Sequence, residues 1–228
     1  MNEILKIGHR GANGYEPENT LISFQKAIEM GANGIELDVH LSSDGHLIVI
    51  HDETIDRTTN GKGTVNQLTL QELKSFRINN KYEIPTLEEV LDLINKRCFI
   101  NIELKNQDTA EQVVQLIERN ISENNWNHTH FLVSSFDWNA LQQVRFLNED
   151  IRIGVLTETD MDLAFSFARF IKAEALHPDF QLLTNEYTVK IQEKGIRVFP
   201  WTVNDKEDIQ RMKSFKVDGI ITDFLDRI

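Results

Sequence analysis

The sequence predicts an α/β fold, a (β/α)8 barrel with a β-hairpin arm and a small insertion at its mouth. Three observations predict it. Short β-rich runs alternate with amphipathic helical patterns, the signature of a parallel sheet with helices outside. Apart from the hairpin's return strand the strand-like runs number eight, as a barrel requires. The competing fold, a doubly wound open sheet, carries a GxGxxG turn after a strand, and none is present. With 228 residues, 40% of them hydrophobic, one domain over 1–228 is enough to bury a single core.

The first strand is expected over residues 5–9. Asn19 and Thr20 can cap a helix whose apolar face is Leu21, Phe24, Ala27 and Ile28, ending at Gly31. Further strands are expected over 34–39, 99–104, 131–136, 151–156, 173–177, 198–203 and 219–222, with helices over 109–121, 138–147, 186–194 and 206–215 among them. One run breaks the alternation. Residues 47–51 follow the strand at 34–39 too closely for a parallel crossover, which needs about a dozen residues, so this pair is antiparallel. Ser43-Asp44-Gly45 is its turn, and a hairpin centred near Ser43 and Asp44 sets Glu36 opposite His51. The stretch 52–85 is then polar and loop-rich, with one short helix opened by a capping box of Thr69 and Glu72. A second capping box, Thr86 with Glu89, opens the helix before 99–104. The stretch reads as an insertion over the barrel mouth, where loops of such folds meet their substrates.

The formal charge of −12 argues against a nucleic-acid surface, which needs a basic face, while a metal or a few local cations still allow an anionic small molecule. No run of about 18 apolar residues exists to span a membrane. Residues 1–7 are too short and too polar for a signal peptide, which sets a cytoplasmic expectation. Cys98, the sole cysteine, has no partner for an internal disulfide and sits before an apolar run as a packing residue.

Alternation assigns the chemistry. In GIELDV, Ile35, Leu37 and Val39 share one face, and Glu36 and Asp38 the other. In INIELK, Ile100, Ile102 and Leu104 oppose Asn101, Glu103 and Lys105. With the aliphatic faces on the outer helices, three carboxylates and a lysine point into the barrel. Two readings fit: an ion-pair network with Lys105 and Arg10, or a hard-cation site of Mg²⁺ or Ca²⁺ type with Glu36, Asp38 and Glu103 as oxygen ligands. His9 and His51, both at strand ends, suit a general acid and base, and Arg10 and Lys105 suit phosphate oxygens. Together these groups describe phosphodiester cleavage.

HRG with PENT, ELDV, DGHLIVIHD, IELK and VFPWTVN, in this order and closed by DGIITD, resemble the glycerophosphodiester phosphodiesterase family. The likeness runs from Ile7 to about Asp223. It implies a TIM-type barrel with the insertion after the HD motif, and divalent-metal hydrolysis of a small glycerophosphodiester to glycerol 3-phosphate and an alcohol. By motif match it implies His9 and His51 as the catalytic pair and Glu36, Asp38 and Glu103 as metal ligands. Arg10, Lys105 and Trp201 match substrate-contacting positions, and Glu18 and Asn19 are expected to brace them.

Three other functions compete with this one. A lysophospholipase D-type reaction on lysolipids keeps the chemistry but asks for an apolar entrance. A glycosidase pair of Glu36 and Glu103 leaves the histidines, Arg10 and Lys105 without roles. A non-catalytic phosphodiester-binding module has no use for His9 and His51. Trp126 and Trp138 read as packing aromatics, His128 and His130 as a solvated strand start, and His40 and His46 as exposed hairpin residues. His177, at the end of a strand, is the further histidine with reach toward the mouth, and Phe136 and Phe199 either line the pocket or fill the barrel.

Overall fold

The computed structural model describes residues 3–228; Met1 and Asn2, the start of the segment read as too polar for a signal peptide, lie outside them. In chain order the elements are β1 (Leu5–Gly8), α1 (Leu21–Glu29), β2 (Gly34–Leu41), β3 (Leu47–Val49), α2 (Leu70–Leu73), α3 (Leu87–Ile94) and β4 (Phe99–Leu104). Then follow α4 (Ala110–Glu123), β5 (Phe131–Ser135), α5 (Trp138–Leu147), β6 (Ile153–Thr157), α6 (Met161–Phe170), β7 (Ala175–Pro178), α7 (Asn185–Gln192), β8 (Arg197–Val198), α8 (Lys206–Ser214) and β9 (Gly219–Thr222).

The strands other than β3 pair in parallel in the order β8-β7-β6-β5-β4-β2-β1-β9. The seam between β8 and β9 is held by separate backbone bonds: Asp218 to Val198 at 3.1 Å, Ile221 to Pro200 at 3.0 Å and Val203 to Ile221 at 3.0 Å. The predicted strand at 198–203 shrinks to β8 because Pro200 has no N–H to give a ladder. The result is a nearly closed eight-stranded barrel with its helices outside. Among the described residues, no helix is long and apolar enough to cross a membrane.

Local chemistry sets the helix starts. The Thr20 hydroxyl accepts from Ser23 N at 3.2 Å to cap α1, and both predicted capping boxes form at the starts of α2 and α3. Ile35, Leu37, Val39, Ile100, Ile102 and Leu104 are buried against the helix layer, as alternation requires. Ile7, Leu132, Ala175, Phe199 and Ile221 form a separate apolar cluster on the inward faces of their strands, so Phe199 fills the barrel rather than lining its mouth.

The hairpin differs from its predicted register. Ser42 N donates to His46 O at 2.9 Å, making Ser43, Asp44 and Gly45 a three-residue loop with Gly45 at φ 85°. The centre therefore falls on Asp44, and the pairs become Val39 with Val49 and His40 with Ile48. Glu36 is not opposite His51; the strand stops at Val49, Ile50 N still reaches Asp38 O at 3.1 Å, and His51 leaves the ladder. His40, read as exposed, is 5% exposed and donates from Nε2 to the His51 carbonyl at 3.0 Å.

Ile48 and Ile50 also anchor the insertion, packing with Ile55, Val65, Leu73, Ile78 and Ile84 in a cluster of their own. At roughly 1.5–3 kcal/mol for each fully buried side chain of this type, the cluster fastens the insertion to the hairpin.

Candidate active site

The parallel register of β2 and β4 builds the centre of the site. Asp38 lies beside Glu103, and Glu36 beside Asn101. Glu36, Asp38 and Glu103 are all buried, and one oxygen from each lies within 4.8 Å of the others. Lys105 Nζ stands 2.7 Å from Glu103 and 3.3 Å from Asp38, and Arg10 Nε stands 3.3 Å from Asp38. Among the described residues Glu36 has no such ion pair. It accepts a hydrogen bond from the Arg10 backbone N–H, 2.9 Å from Oε2.

The electrostatics follow. Burial, then the Asp38 charge, pushes the Glu36 carboxyl up to about 8. Burial also raises Glu103, whereas Lys105 and Arg10 overcome it at Asp38 and hold that carboxyl below its usual range. The ion-pair network therefore satisfies Asp38 and Glu103 and leaves Glu36 without a direct ion pair, its nearby positive charges being those of His9 and Arg10. Asn101 Oδ1, facing the same cavity, is buried and makes no hydrogen bond. Three clustered carboxylates, one of them without an ion pair, beside an orphaned amide oxygen form a donor set that fits a hard divalent cation.

His9 follows β1, and its Nδ1 donates to Asp223 Oδ1 at 2.8 Å at the end of β9. Asp223 is held by Asn13 Nδ2 at 3.2 Å and Asn204 Nδ2 at 2.7 Å. Burial disfavours the imidazolium, but the Asp223 hydrogen bond and the Glu36 charge outweigh it and raise the His9 pKa. His51 Nδ1 donates to Asp52 Oδ1 at 2.7 Å; there burial outweighs Asp38 and Asp52, and the pKa falls. In both rings the bonded Nδ1 leaves Nε2 as the other nitrogen, and both rings line one cavity with Arg10, Glu36, Glu103 and Trp201.

The turn between β1 and α1 is strained to make this possible. Arg10 and Gly11 both take left-handed backbone, at φ 50° and 88°. A Cβ on Gly11 would come within 2.3 Å of Ser23 Oγ, so only glycine lets the turn press against α1. Glu18 Oε1 accepts from Arg10 Nη1 at 2.9 Å, and Asn19 Nδ2 donates to Asp38 Oδ2 at 2.8 Å, the bracing expected of these two residues. Trp201 Nε1 donates to the His177 carbonyl at 2.9 Å, and its ring meets Phe136 edge-on at 5.4 Å.

The structure thus brings together all eight site residues read from the sequence. His177 is the exception among the wider candidates: its ring is fully buried over the notch at Gly154, neither nitrogen has a partner among the described residues, and its carbonyl is what serves the mouth. Trp126 stacks on Phe131 and Trp138 on Phe167, as packing aromatics do. Sequence reasoning assigned no role to Asp223, Asn204 or Arg57. The closing DGIITD and WTVN motifs held the first two, but nothing local links them to His9.

Burial pushes His177 down to about 3. Between the unfolded value near 6.5 and about 3, the unfolded chain therefore binds the extra proton and stability falls as pH falls, by at most about 1.4 kcal/mol per pH unit. Urea unfolding of wild type and His177→Leu at pH 7 and pH 5 checks this. The wild type should lose about 2 kcal/mol more than the variant across that interval, and parallel losses would contradict it.

Comparisons with known proteins agree with this geometry. A profile of the glycerophosphoryl diester phosphodiesterase family matches residues 9–227. A glycerophosphodiester phosphodiesterase of Caldanaerobacter subterraneus is 40% identical, covering 96% of this chain and 93% of that protein. One from Bacillus altitudinis is 39% identical over 97% and 95%. A crystal structure of the Thermotoga maritima glycerophosphodiester phosphodiesterase superposes with a TM-score of 0.84 at 32% identity, over 99% and 97% of the two chains. A phosphodiesterase of Oleispira antarctica, solved in complex with the product sn-glycerol-3-phosphate, superposes with a TM-score of 0.89 at 27% identity, over 98% and 94%.

Proposed function

Because this chain belongs to the glycerophosphoryl diester phosphodiesterase family, we propose that it hydrolyses small glycerophosphodiesters to sn-glycerol 3-phosphate and an alcohol, using a divalent cation and the His9–His51 pair. The observation that carries this reading is the buried Glu36–Asp38–Glu103 cluster, in which Glu36 lacks a direct ion pair, with two carboxylate-oriented histidines lining the same cavity. The product seen in the Oleispira antarctica relative supports the glycerophosphate half of the substrate.

Glu36, Asp38 and Glu103 would hold the cation, Mg²⁺ or Ca²⁺ by its all-oxygen ligands. When bound it would supply positive charge against the phosphate and favour loss of the attacking hydroxyl's proton. Arg10 and Lys105 hold the phosphate oxygens, and Trp201, fixed through the His177 carbonyl, packs against the glycerol. His51, kept neutral by burial, takes the proton from the glycerol 2-hydroxyl as it attacks phosphorus. His9, kept charged by Asp223, gives a proton to the departing alcohol oxygen. Water then opens the cyclic phosphate with the proton roles reversed. Residues 1–228 act as one barrel domain, with 52–85 covering its mouth.

Chromatography of products from glycerophosphocholine, glycerophosphoethanolamine and lysophosphatidylcholine tests the substrate. sn-Glycerol 3-phosphate should appear from the first two, and cleavage confined to the lysolipid would move the activity to the lysophospholipase D type. Rapid-quench sampling tests the order of steps. The cyclic phosphate should accumulate transiently, and a substrate without the glycerol 2-hydroxyl should be inert.

The pH profile has a defined shape. The active form has His51 neutral and His9 charged, so the acidic limb of kcat/KM belongs to His51 and lies below its ordinary value of about 6.5. The alkaline limb belongs to His9 and lies above it. Stopped assays from pH 4 to 10 should give a bell, and an alkaline limb that survives in His9→Ala would overturn the assignment.

A further inference from the structure

Arg57 stands in the insertion, outside the motifs that carry the chemistry, and its guanidinium closes on two carboxylates at once. Nε and Nη2 donate to Oδ2 and Oδ1 of Asp52 at 2.7 and 2.9 Å. Nη1 and Nη2 donate to Oε2 and Oε1 of Glu18 at 2.9 and 2.7 Å. Each carboxylate has a second partner inside the site. Asp52 Oδ1 accepts from His51 Nδ1 at 2.7 Å, and Glu18 Oε1 accepts from Arg10 Nη1 at 2.9 Å. One planar fork therefore ties the imidazole to the phosphate-facing guanidinium through two carboxylates.

We propose that Arg57 is a positioning residue that sets His51 and Arg10 relative to each other, so that the insertion controls proton transfer and phosphate binding together. The proposal rests on the roles given above to His51 and Arg10. Without Arg57, two carboxylates that share one cation would face each other unneutralised. Asp52 would lose the contacts that fix its angle to His51, and Glu18 would turn its full charge on Arg10 and draw it from the phosphate. Lysine does not replace this, because a single ammonium does not present two edges to two carboxylates.

The test is steady-state kinetics of Arg57→Gln, Arg57→Lys and Arg57→Ala with glycerophosphocholine and added Mg²⁺ or Ca²⁺, with His51→Ala as control. kcat/KM should fall about 10- to 100-fold, the usual scale for an orienting partner of a reactive group. KM should rise through Arg10 and kcat fall through His51. Lysine should restore little, and guanidinium ion should restore part of the activity of Arg57→Ala. The charges facing His51 are Asp52 on its own segment, Asp38 on β2, Lys105 after β4 and Arg10 after β1. Removing Arg57 strengthens the Asp52 charge, so the acidic limb of kcat/KM should move to higher pH. Cation affinity by calorimetry should stay at the wild-type value, since none of the hydrogen bonds of Arg57 reaches Glu36, Asp38 or Glu103.

Wild-type kinetics in Arg57→Gln, with His51→Ala inactive, would refute the role of Arg57 alone. So would a loss that merely tracks a lower melting temperature, with the acidic limb unmoved. Full activity in His51→Ala would remove the reading of the site itself, and the proposal with it.

Discussion

Glu36→Gln should abolish cation-dependent turnover while making the cation-free protein more stable. The two effects share one cause. Glu36 is a buried carboxylate without an ion pair, beside Asp38 and Glu103, and its pKa is pushed up to about 8. The cation-free native state thus binds more protons than the unfolded chain between roughly 4.5 and 8, and its stability falls as pH rises through that window. Glutamine keeps the shape and has no charge to desolvate. Near pH 8 the variant without cation should gain about 1–3 kcal/mol over wild type. Calorimetric cation binding should weaken beyond detection, and kcat/KM should fall by about 10³-fold or more as the electrostatic stabilisation goes. Scanning calorimetry with and without Mg²⁺ or Ca²⁺ reads both. A variant that is destabilised and still binds the cation would show that Glu36 is a structural ion-pair member.

His9→Ala should lower kcat by about 10²- to 10⁴-fold on glycerophosphocholine, and by far less when the leaving group is p-nitrophenol. That asymmetry separates acid from base. A phenolate leaves without a proton, so loss of the general acid is then largely forgiven, whereas His51→Ala should hurt both substrates alike. Asp223→Asn should fall between wild type and His9→Ala, with the alkaline limb of kcat/KM moved to lower pH, because the Asp223 hydrogen bond is the largest influence raising His9. Equal losses of His9→Ala on both substrates would instead assign His9 to the base or to ground-state binding.

What was legible in the sequence was whatever short-range pattern encodes. Alternation in GIELDV and INIELK aimed Glu36, Asp38, Glu103 and Lys105 inward, and the register of β2 and β4 brought them together. The capping boxes at Thr69 and Thr86 marked helix starts correctly because their partners are three residues apart. The side-chain contacts that barrel closure creates were not legible. Asp223 meets His9 only because β9 lies beside β1, across 214 residues of chain, and no local periodicity carries that pairing. Arg57 escaped for the same reason, since Glu18 is 39 residues away and the contact crosses from the insertion to the first loop. The hairpin register slipped by one because a three-residue loop with Gly45 in left-handed backbone looks like a two-residue turn in sequence. His40 was misjudged because strand position says little about which imidazole the folded chain covers.

The central claim is that the Glu36–Asp38–Glu103 cluster and the His9–His51 pair together perform cation-dependent hydrolysis of a glycerophosphodiester. Turnover of glycerophosphocholine by chelator-stripped protein, read as glycerol 3-phosphate, tests it most directly, with Mg²⁺ or Ca²⁺ restored and His9→Ala and Glu36→Ala alongside. Release should be absent without cation, appear on its return, and be lost in both variants. Release that persists in stripped protein, or in either variant, would contradict it.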